Sequence, residues 1–169
     1  MIGVANLEDI PQLLRLINSC YRGEESKKGW TTEALLIEGE VRTDSSDLVD
    51  LINAEDGCIL KYTSENTIIG CVNLQKQGEK IYLGMFSVNP DFQGAGIGKK
   101  ILFAADEFAI QKSCKAIKMK VISERHELVS WYIKYGFHPT GEELPFPKDN
   151  KFGKPLKELK FIVLEKKLK

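Results

Sequence analysis

Apolar and polar positions recur with two different periods along this chain, and the switches between them mark its elements. Ile10, Leu13, Leu14 and Ile17 fall three and four residues apart, which puts their side chains on one face of a helix. A helix over residues 8–20 is predicted, with Pro11 in its first turn, where the missing N–H removes no helical bond. Residues 21–31 are polar and read as a loop. Thr32 is placed to cap a short helix through Glu38. A further helix over 45–54 turns Leu48, Leu51 and Ile52 inward.

The period then changes. Cys58–Tyr62 and Thr67–Leu74 read as strands around the turn 63–66. Residues 81–88 are apolar on both faces and predict a strand in the middle of a sheet. Ile97, Ile101, Ala104, Ala105 and Phe108 restore the helical spacing over 96–111. Ile117, Met119 and Val121 alternate with Lys118 and Lys120, so 115–122 is a strand with one buried face. A helix over 126–135 stops at Gly136, a residue suited to a helix C-terminus. Phe137–Gly141 and Leu159–Leu168 are late strands. Pro145, Pro147 and Pro155 make 144–156 a surface loop. Helices, a strand meander, then alternating strands and helices predict one layered α/β (α+β) domain over 1–169, built on a single mixed sheet.

Composition leaves that picture in place. The 169 residues are 43% hydrophobic and 28% charged, as in an ordinary globular domain with a core of its own. No apolar run approaches the roughly 18 residues a membrane helix needs, and the acidic start does not read as a signal peptide. A cytoplasmic protein without membrane partners is expected. Cys20, Cys58, Cys71 and Cys114 lie far apart with only His126 and His138 as companions. That spacing suggests no metal site and no disulfide framework, only reduced thiols packed as small hydrophobes.

Charge is balanced overall but unevenly spread. Residues 1–56 carry five basic and twelve acidic side chains, and the rest of the chain holds the compensating positive excess. An acidic part attracts cations and a basic part anions. The basic tail 146–169 lacks the interleaved aromatics of a nucleic-acid surface and reads as an edge strand, so no nucleic-acid partner is expected.

The segment Val88-Asn89-Pro90-Asp91-Phe92-Gln93-Gly94-Ala95-Gly96-Ile97-Gly98-Lys99-Lys100 carries the chemistry. A buried strand feeds a glycine-rich turn that opens a helix. The first helical amides have no internal partners and, with the helix dipole, favour an anion. Lys99 and Lys100 add charge. A Walker loop fails at Gln93 and Lys100, and a dinucleotide fingerprint fails at Lys99. What remains is a cradle for a phosphate group, above all a pyrophosphate.

Val88 to Gly98 resembles V-x-P-x-x-[Q/R]-G-x-G-[I/V]-G, the acetyl-CoA loop of the GCN5-related N-acetyltransferases. Trp131-Tyr132-Ile133-Lys134-Tyr135-Gly136-Phe137 resembles that family's second signature, Y-x-x-x-G-F. Both motifs in order, with the predicted elements around them, extend the resemblance over nearly the whole chain. It implies a twisted, mostly antiparallel sheet of six to seven strands flanked by about four helices. It implies acetyl-CoA as co-substrate, no metal, and a small-molecule or peptide amine as acceptor. A monomer or homodimer is expected.

Residue by residue, the resemblance implies coenzyme A contacts from Phe86, Ser87 and Val88 through the strand backbone. It implies pyrophosphate contacts from Gln93, Gly94, Ala95, Gly96, Ile97, Gly98 and Lys99. Tyr132 takes the place of the general acid that protonates the leaving thiolate, and Tyr135 falls on a variable position. Two departures stand out. The central strand carries no acid, and Arg125 stands where the family often has Asn. The general base is therefore sought among Glu24, Glu33 and Glu124, with Glu25 beside them and Trp30 as a wall of the acceptor pocket. A cationic amine would suit those acids. A polyamine-like amine, an amino acid, an antibiotic and a protein N-terminus all stay open as acceptors. A non-catalytic acyl-CoA sensor of the same fold is the alternative reading.

Overall fold

The computed structural model describes residues 1–169. The strands are β1 (Ile2–Val4), β2 (Ile37–Glu38), β3 (Gly57–Ser64), β4 (Thr67–Gln77), β5 (Lys80–Val88), β6 (Ala116–Ile122), β7 (His138–Pro145), β8 (Lys154–Pro155) and β9 (Lys160–Lys167). The helices are α1 (Ile10–Tyr21), the single turn α2 (Gly23–Ser26), α3 (Ser45–Asn53), α4 (Ile97–Gln111) and α5 (His126–Lys134). Seven strands form one sheet in the order β1-β3-β4-β5-β6-β9-β7, and β2 pairs with β8 apart from it. Only β5 and β6 run parallel; the other contacts in the large sheet are antiparallel.

The two faces of the sheet are covered by different helices because successive strand residues point opposite ways. Ile59, Ile68, Cys71 and Met85 pack with Leu13, Ile17 and Leu48 from α1 and α3. Cys58, Leu60, Ile69 and Val72 pack on the opposite face with Ile101, Ala105 and Leu128 from α4 and α5. The long apolar run of β4 is thus divided residue by residue between two cores, which is what a central strand requires. Ile37, Ile122 and Leu159 make a third, small cluster beneath the β2–β8 ribbon.

Four predicted helices and the central strands are present, and the layered α/β architecture with a mostly antiparallel seven-stranded sheet is as expected. Three local expectations are corrected. The helix expected over 32–38 is a single turn followed by β2. Thr32 Oγ1 does accept from the Ala34 amide at 3.0 Å, but Ile37 is drawn into the third cluster and pairs with Pro155. The loop expected over 144–156 contains the end of β7 and β8, since prolines at a sheet edge sacrifice no ladder bond. The polar stretch 21–31 holds α2. One strand gave no signal at all: β1 has three residues and is fixed by its pairing with β3 and by Ile2, which packs on the core.

Phe137, 1% exposed, closes the core between α5 and β9. Its replacement by Ala is expected to cost about 3–5 kcal/mol of unfolding free energy, measured as a shift in the urea midpoint at unchanged slope.

Candidate active site

The glycine-rich segment leaves β5 through a 3₁₀ turn over Pro90–Phe92, which Asn89 caps by accepting from the Asp91 amide at 2.9 Å. Gly94 and Gly96 have φ of +89° and +80°, and Gly96 is the N-cap of α4. A side chain at either would meet nothing within 4 Å. Glycine is needed there for its backbone angles, and the space over the loop is open. Gly98 differs: a Cβ would lie 3.3 Å from the Phe86 ring and 3.5 Å from Trp131. Lys99 faces the cavity over the loop, while Lys100 points to the Tyr62 ring instead. Gln93 is a strut. Its Nε2 donates to the Val88 carbonyl at 3.1 Å, and its Oε1 accepts from the Trp30 amide at 3.0 Å.

The strand behind the loop is broken away from its neighbour. β5 pairs with β6 only through Lys80, Ile81 and Tyr82; beyond that β6 keeps β9 as its sole partner. The cause lies on the other edge of β5. Its register with β4 passes from Gly84↔Asn73 to Ser87↔Cys71, so Met85 and Phe86 together face Val72. One extra residue on a strand bends it and increases its twist. Met85 has φ of +50°, a conformation costing about 1–3 kcal/mol for a non-glycine residue. Its buried side chain in the α1–α3 core holds it there. Residues 83–88 therefore present a backbone edge without a strand partner. Tyr21 Oη donates to the Phe86 carbonyl on that strand at 3.0 Å.

Two cavities meet at this gap. The loop-side cavity, about 290 Å³, is bounded by Gln93, Gly94 and the stretch Gly96 to Lys99, with Trp131 and Tyr135. The inner cavity, about 280 Å³, runs between β5 and β6 under the segment 146–153. Tyr21, Phe86, Arg125, Leu128 and Tyr132 line both. No carboxylate lines the loop-side cavity, which has Lys99 and Arg125 as its cations.

Tyr132 is buried at this junction between the rings of Phe86, Trp131 and Phe137. Burial raises its phenol above the ordinary tyrosine value, the charge of Tyr21 adding to the shift and that of Arg125 opposing it. The hydroxyl is a proton donor throughout the neutral range. Cys20 also borders the loop-side cavity, where it donates to the Val88 carbonyl, but burial pushes its thiol up to about 12. It has no thiolate to offer as a nucleophile at neutral pH.

The acids expected nearby fall in different places. Glu24 and Glu25 are exposed and pair with Lys27 and Lys28; Glu124 pairs with Lys157. None of the three borders either cavity. Glu33 does, and it is buried between two arginines. Arg22 Nη1 donates to Oε1 and Arg125 Nη1 to Oε2, the latter at 3.0 Å. Arg22 also donates to the Phe152 carbonyl through Nε and Nη2 at 3.3 and 3.1 Å, and Arg125 Nη2 to Thr31 Oγ1 at 2.9 Å. Glu33 thus ties α1, the β6–α5 turn and the segment over the inner cavity together. Trp30, expected against the acceptor, borders the loop-side cavity and leans on Trp131 at 6.2 Å. Ala95 is exposed and borders neither cavity. Sequence reasoning missed Tyr21, Arg22, Arg42 and Lys120. They lie far apart in the chain and match no motif; the only signal was the alternation that set Lys120 opposite the buried face of β6.

Comparisons with known proteins bear on the family and the fold. The model of the acetyltransferase (GNAT) family matches residues 10–137, and the chain belongs to that family. The pig (Sus scrofa) thialysine N-epsilon-acetyltransferase is 34% identical over 59 residues; this match spans 35% of either chain. Among solved structures, the ribosomal-protein-alanine N-acetyltransferase of Brucella melitensis superposes with a TM-score of 0.73 at 18% identity, covering 99% of both chains. A Salmonella typhimurium protein described as an acetyltransferase, solved with its cofactor acetyl-CoA, gives 0.72 at 14% identity over 100% of this chain and 94% of its own. At these identities the structural likeness is one of fold.

Removing the charge of Glu33 leaves Arg22 and Arg125 buried without their common partner. Glu33→Gln is expected to lower stability by about 3–5 kcal/mol, read by chemical denaturation. A loss under 1 kcal/mol would show that the cluster is solvated and does not hold the cavity closed.

Proposed function

We propose that the protein transfers the acetyl group of acetyl-coenzyme A to a primary amine, by direct attack while both molecules are bound. One observation carries this reading: the loop-side and inner cavities meet at Phe86 and Tyr132, in the gap that the bulge opens beside β5. Family membership supports it, as does the acetyl-CoA bound to the Salmonella protein of the same fold. The pig relative is named for transfer to an amine nitrogen.

The residues present fit the donor. Open space over Gly94 and Gly96, the start of α4, Lys99 and the absence of any carboxylate suit a pyrophosphate. Acetyl-coenzyme A supplies the activated acetyl thioester. The backbone of Gln93 to Gly98 and the Lys99 ammonium hold the phosphates. The gap-facing edge at Phe86, Ser87 and Val88 has no strand partner there, although the Phe86 and Val88 carbonyls already accept from Tyr21 and Gln93. It receives the amide-bearing arm as an added strand would be received. Backbone donors on that edge polarise the acetyl carbonyl.

The proton bookkeeping falls to two groups. The amine nitrogen forms a bond to the acetyl carbon as the carbon–sulfur bond breaks. Tyr132 gives its proton to the departing sulfur, the role its protonated phenol suits. The amine's own proton goes to water, because Glu33 is saturated by two arginines and Glu24 and Glu124 lie outside both cavities. With Cys20 held as a neutral thiol, transfer proceeds without an acetylated enzyme.

The test is release of free thiol from acetyl-CoA across a panel of amines. Tyr132→Phe is expected to lower kcat about 100-fold or more, with acetyl-CoA affinity retained. Since burial raises the Tyr132 phenol, wild-type kcat should hold to at least about pH 10 without an alkaline descent. Full turnover in Tyr132→Phe, or a descent below that pH that the variant lacks, sinks the acid role in this form. Acetyl-CoA binding without thiol release on any amine would make the protein a sensor.

A further inference from the structure

The N-terminal part of the chain is acidic, yet the inner cavity it helps to build is cationic. Arg22, Arg42, Lys120, Arg125 and Lys151 border it, against Glu33 and Asp149. The distribution of partners matters more than the count. Glu33 is used up by Arg22 and Arg125. Lys151 lies on the rim segment with its ammonium 4.9 Å from the centre of the Phe152 ring and in no ion pair; only its backbone amide donates to Asp149 Oδ1. Arg42 and Lys120 take part in none of the protein's ion pairs.

Both are held in place by aromatic rings and not by counter-charges. The Arg42 guanidinium lies 5.3 Å from the centre of the Tyr21 ring, and Lys120 Nζ lies 4.7 Å from that of Phe161. The backbone of Arg42 is fixed by Asn18, whose Oδ1 accepts from its amide at 2.6 Å. Both border the inner cavity and neither borders the loop-side cavity, so their charge is not placed for coenzyme A phosphates. They also feel each other: burial first, and then the charge of Arg42, hold the Lys120 ammonium below its usual value. Arg42 is half-buried and Lys120 exposed; two like charges at the border of one cavity repel, and an anion between them relieves that repulsion.

We infer that the acceptor is a small amine that also carries a carboxylate, bound with its carboxylate between Arg42 and Lys120 and its amine at the Tyr132 junction. The inference rests on the transfer reading for the amine end and on the cavity's own charges for the carboxylate end. A planar guanidinium matches a carboxylate with paired donors. Tyr21 links the two ends: its ring carries Arg42, and its hydroxyl meets the Phe86 carbonyl at the gap. The rings of Tyr82, Phe146 and Phe161 wall the space between. At about 280 Å³, bordered on one side by 146–153, the cavity has room for a small amino acid. The acidic residues once expected to draw a cationic amine lie outside it, apart from the neutralised Glu33.

The experiment compares α- and ω-amino acids of three to six carbons, each beside its primary amide, by thiol release from acetyl-CoA. Values of kcat/KM are corrected for the free-base fraction of each amine. At least one acid is expected to exceed its amide by tenfold or more. That ratio should fall towards one in Arg42→Gln and in Lys120→Gln and be kept only in part in Arg42→Lys, which retains the charge and loses the paired donors, with melting temperatures confirming that the variants fold. Amides and simple amines that match or outdo every acid overturn the inference, and so does a peptide amine acetylated tenfold faster than every free acid. If no amine at all is acetylated, the transfer reading fails separately. Calorimetric binding of the same acids then decides: binding weakened tenfold or more by Arg42→Gln supports the carboxylate site, and no binding, or binding that Arg42→Gln leaves intact, overturns it.

Discussion

One extra residue in β5 organises everything that follows. Met85 and Phe86 together oppose Val72, and the bend they impose ends the parallel pairing with β6 after Tyr82. A sheet without that bulge would carry β5 and β6 side by side to their ends, burying the backbone edge in ladder bonds. With it, the same two strands diverge around a wedge-shaped gap whose apex is at Tyr82. The conformation of Met85 is unfavourable in isolation and is maintained by burial of its side chain under α1. Strain at the gap is thus balanced by packing against α1, beside the inner cavity that Met85 also borders.

A gap in a sheet is a liability unless something defines its walls. Here the walls come from distant parts of the chain, joined by the cluster of Arg22, Glu33 and Arg125. Its energetics are those of any buried ion group: desolvation is costly, and the pairing returns little beyond that. Its value is positional. Glu33 brings the end of α1, the β6–α5 turn and, through Arg22, the Phe152 carbonyl to one point. An apolar contact could hold these segments together but would not fix where each guanidinium points.

The parts of this protein that were legible in the sequence are those built from consecutive residues. The helical spacing of Ile10 to Ile17, the alternation of Ile117 to Val121 and the run from Val88 to Gly98 each encode an element and its buried face, because period and turn chemistry are local properties. The donor loop is in that class. The acceptor side is not. Tyr21, Arg42 and Lys120 meet only because α1, the segment before α3 and β6 converge on one gap, and no residue in that set has a telling neighbour. The acids at 24, 33 and 124 show the same limit from the other side: a carboxylate in a polar stretch looks alike whether it faces solvent, as Glu24 does, or is locked between arginines, as Glu33 is. Ile37 illustrates tertiary override, since a residue with acceptable helical surroundings became a strand to reach the third core cluster.

The charge pattern gains its meaning from this convergence. Counting along the chain sets an acidic N-terminal part against a basic remainder, and that suggested a site for cations. The fold undoes the suggestion by directing the acids of the first 56 residues mostly to solvent while turning Arg22 and Arg42 inward. On the proposed chemistry this inversion has a catalytic consequence. An amine entering a cavity of positive potential has its protonated form disfavoured, so more of it is present as the free base that attacks. A carboxylate on the same molecule compensates the field where it binds, at Arg42 and Lys120, while the junction near Arg125 stays positive for the amine. Under that arrangement a dedicated carboxylate base is unnecessary, which accords with a central strand that carries no acid from Lys80 to Val88.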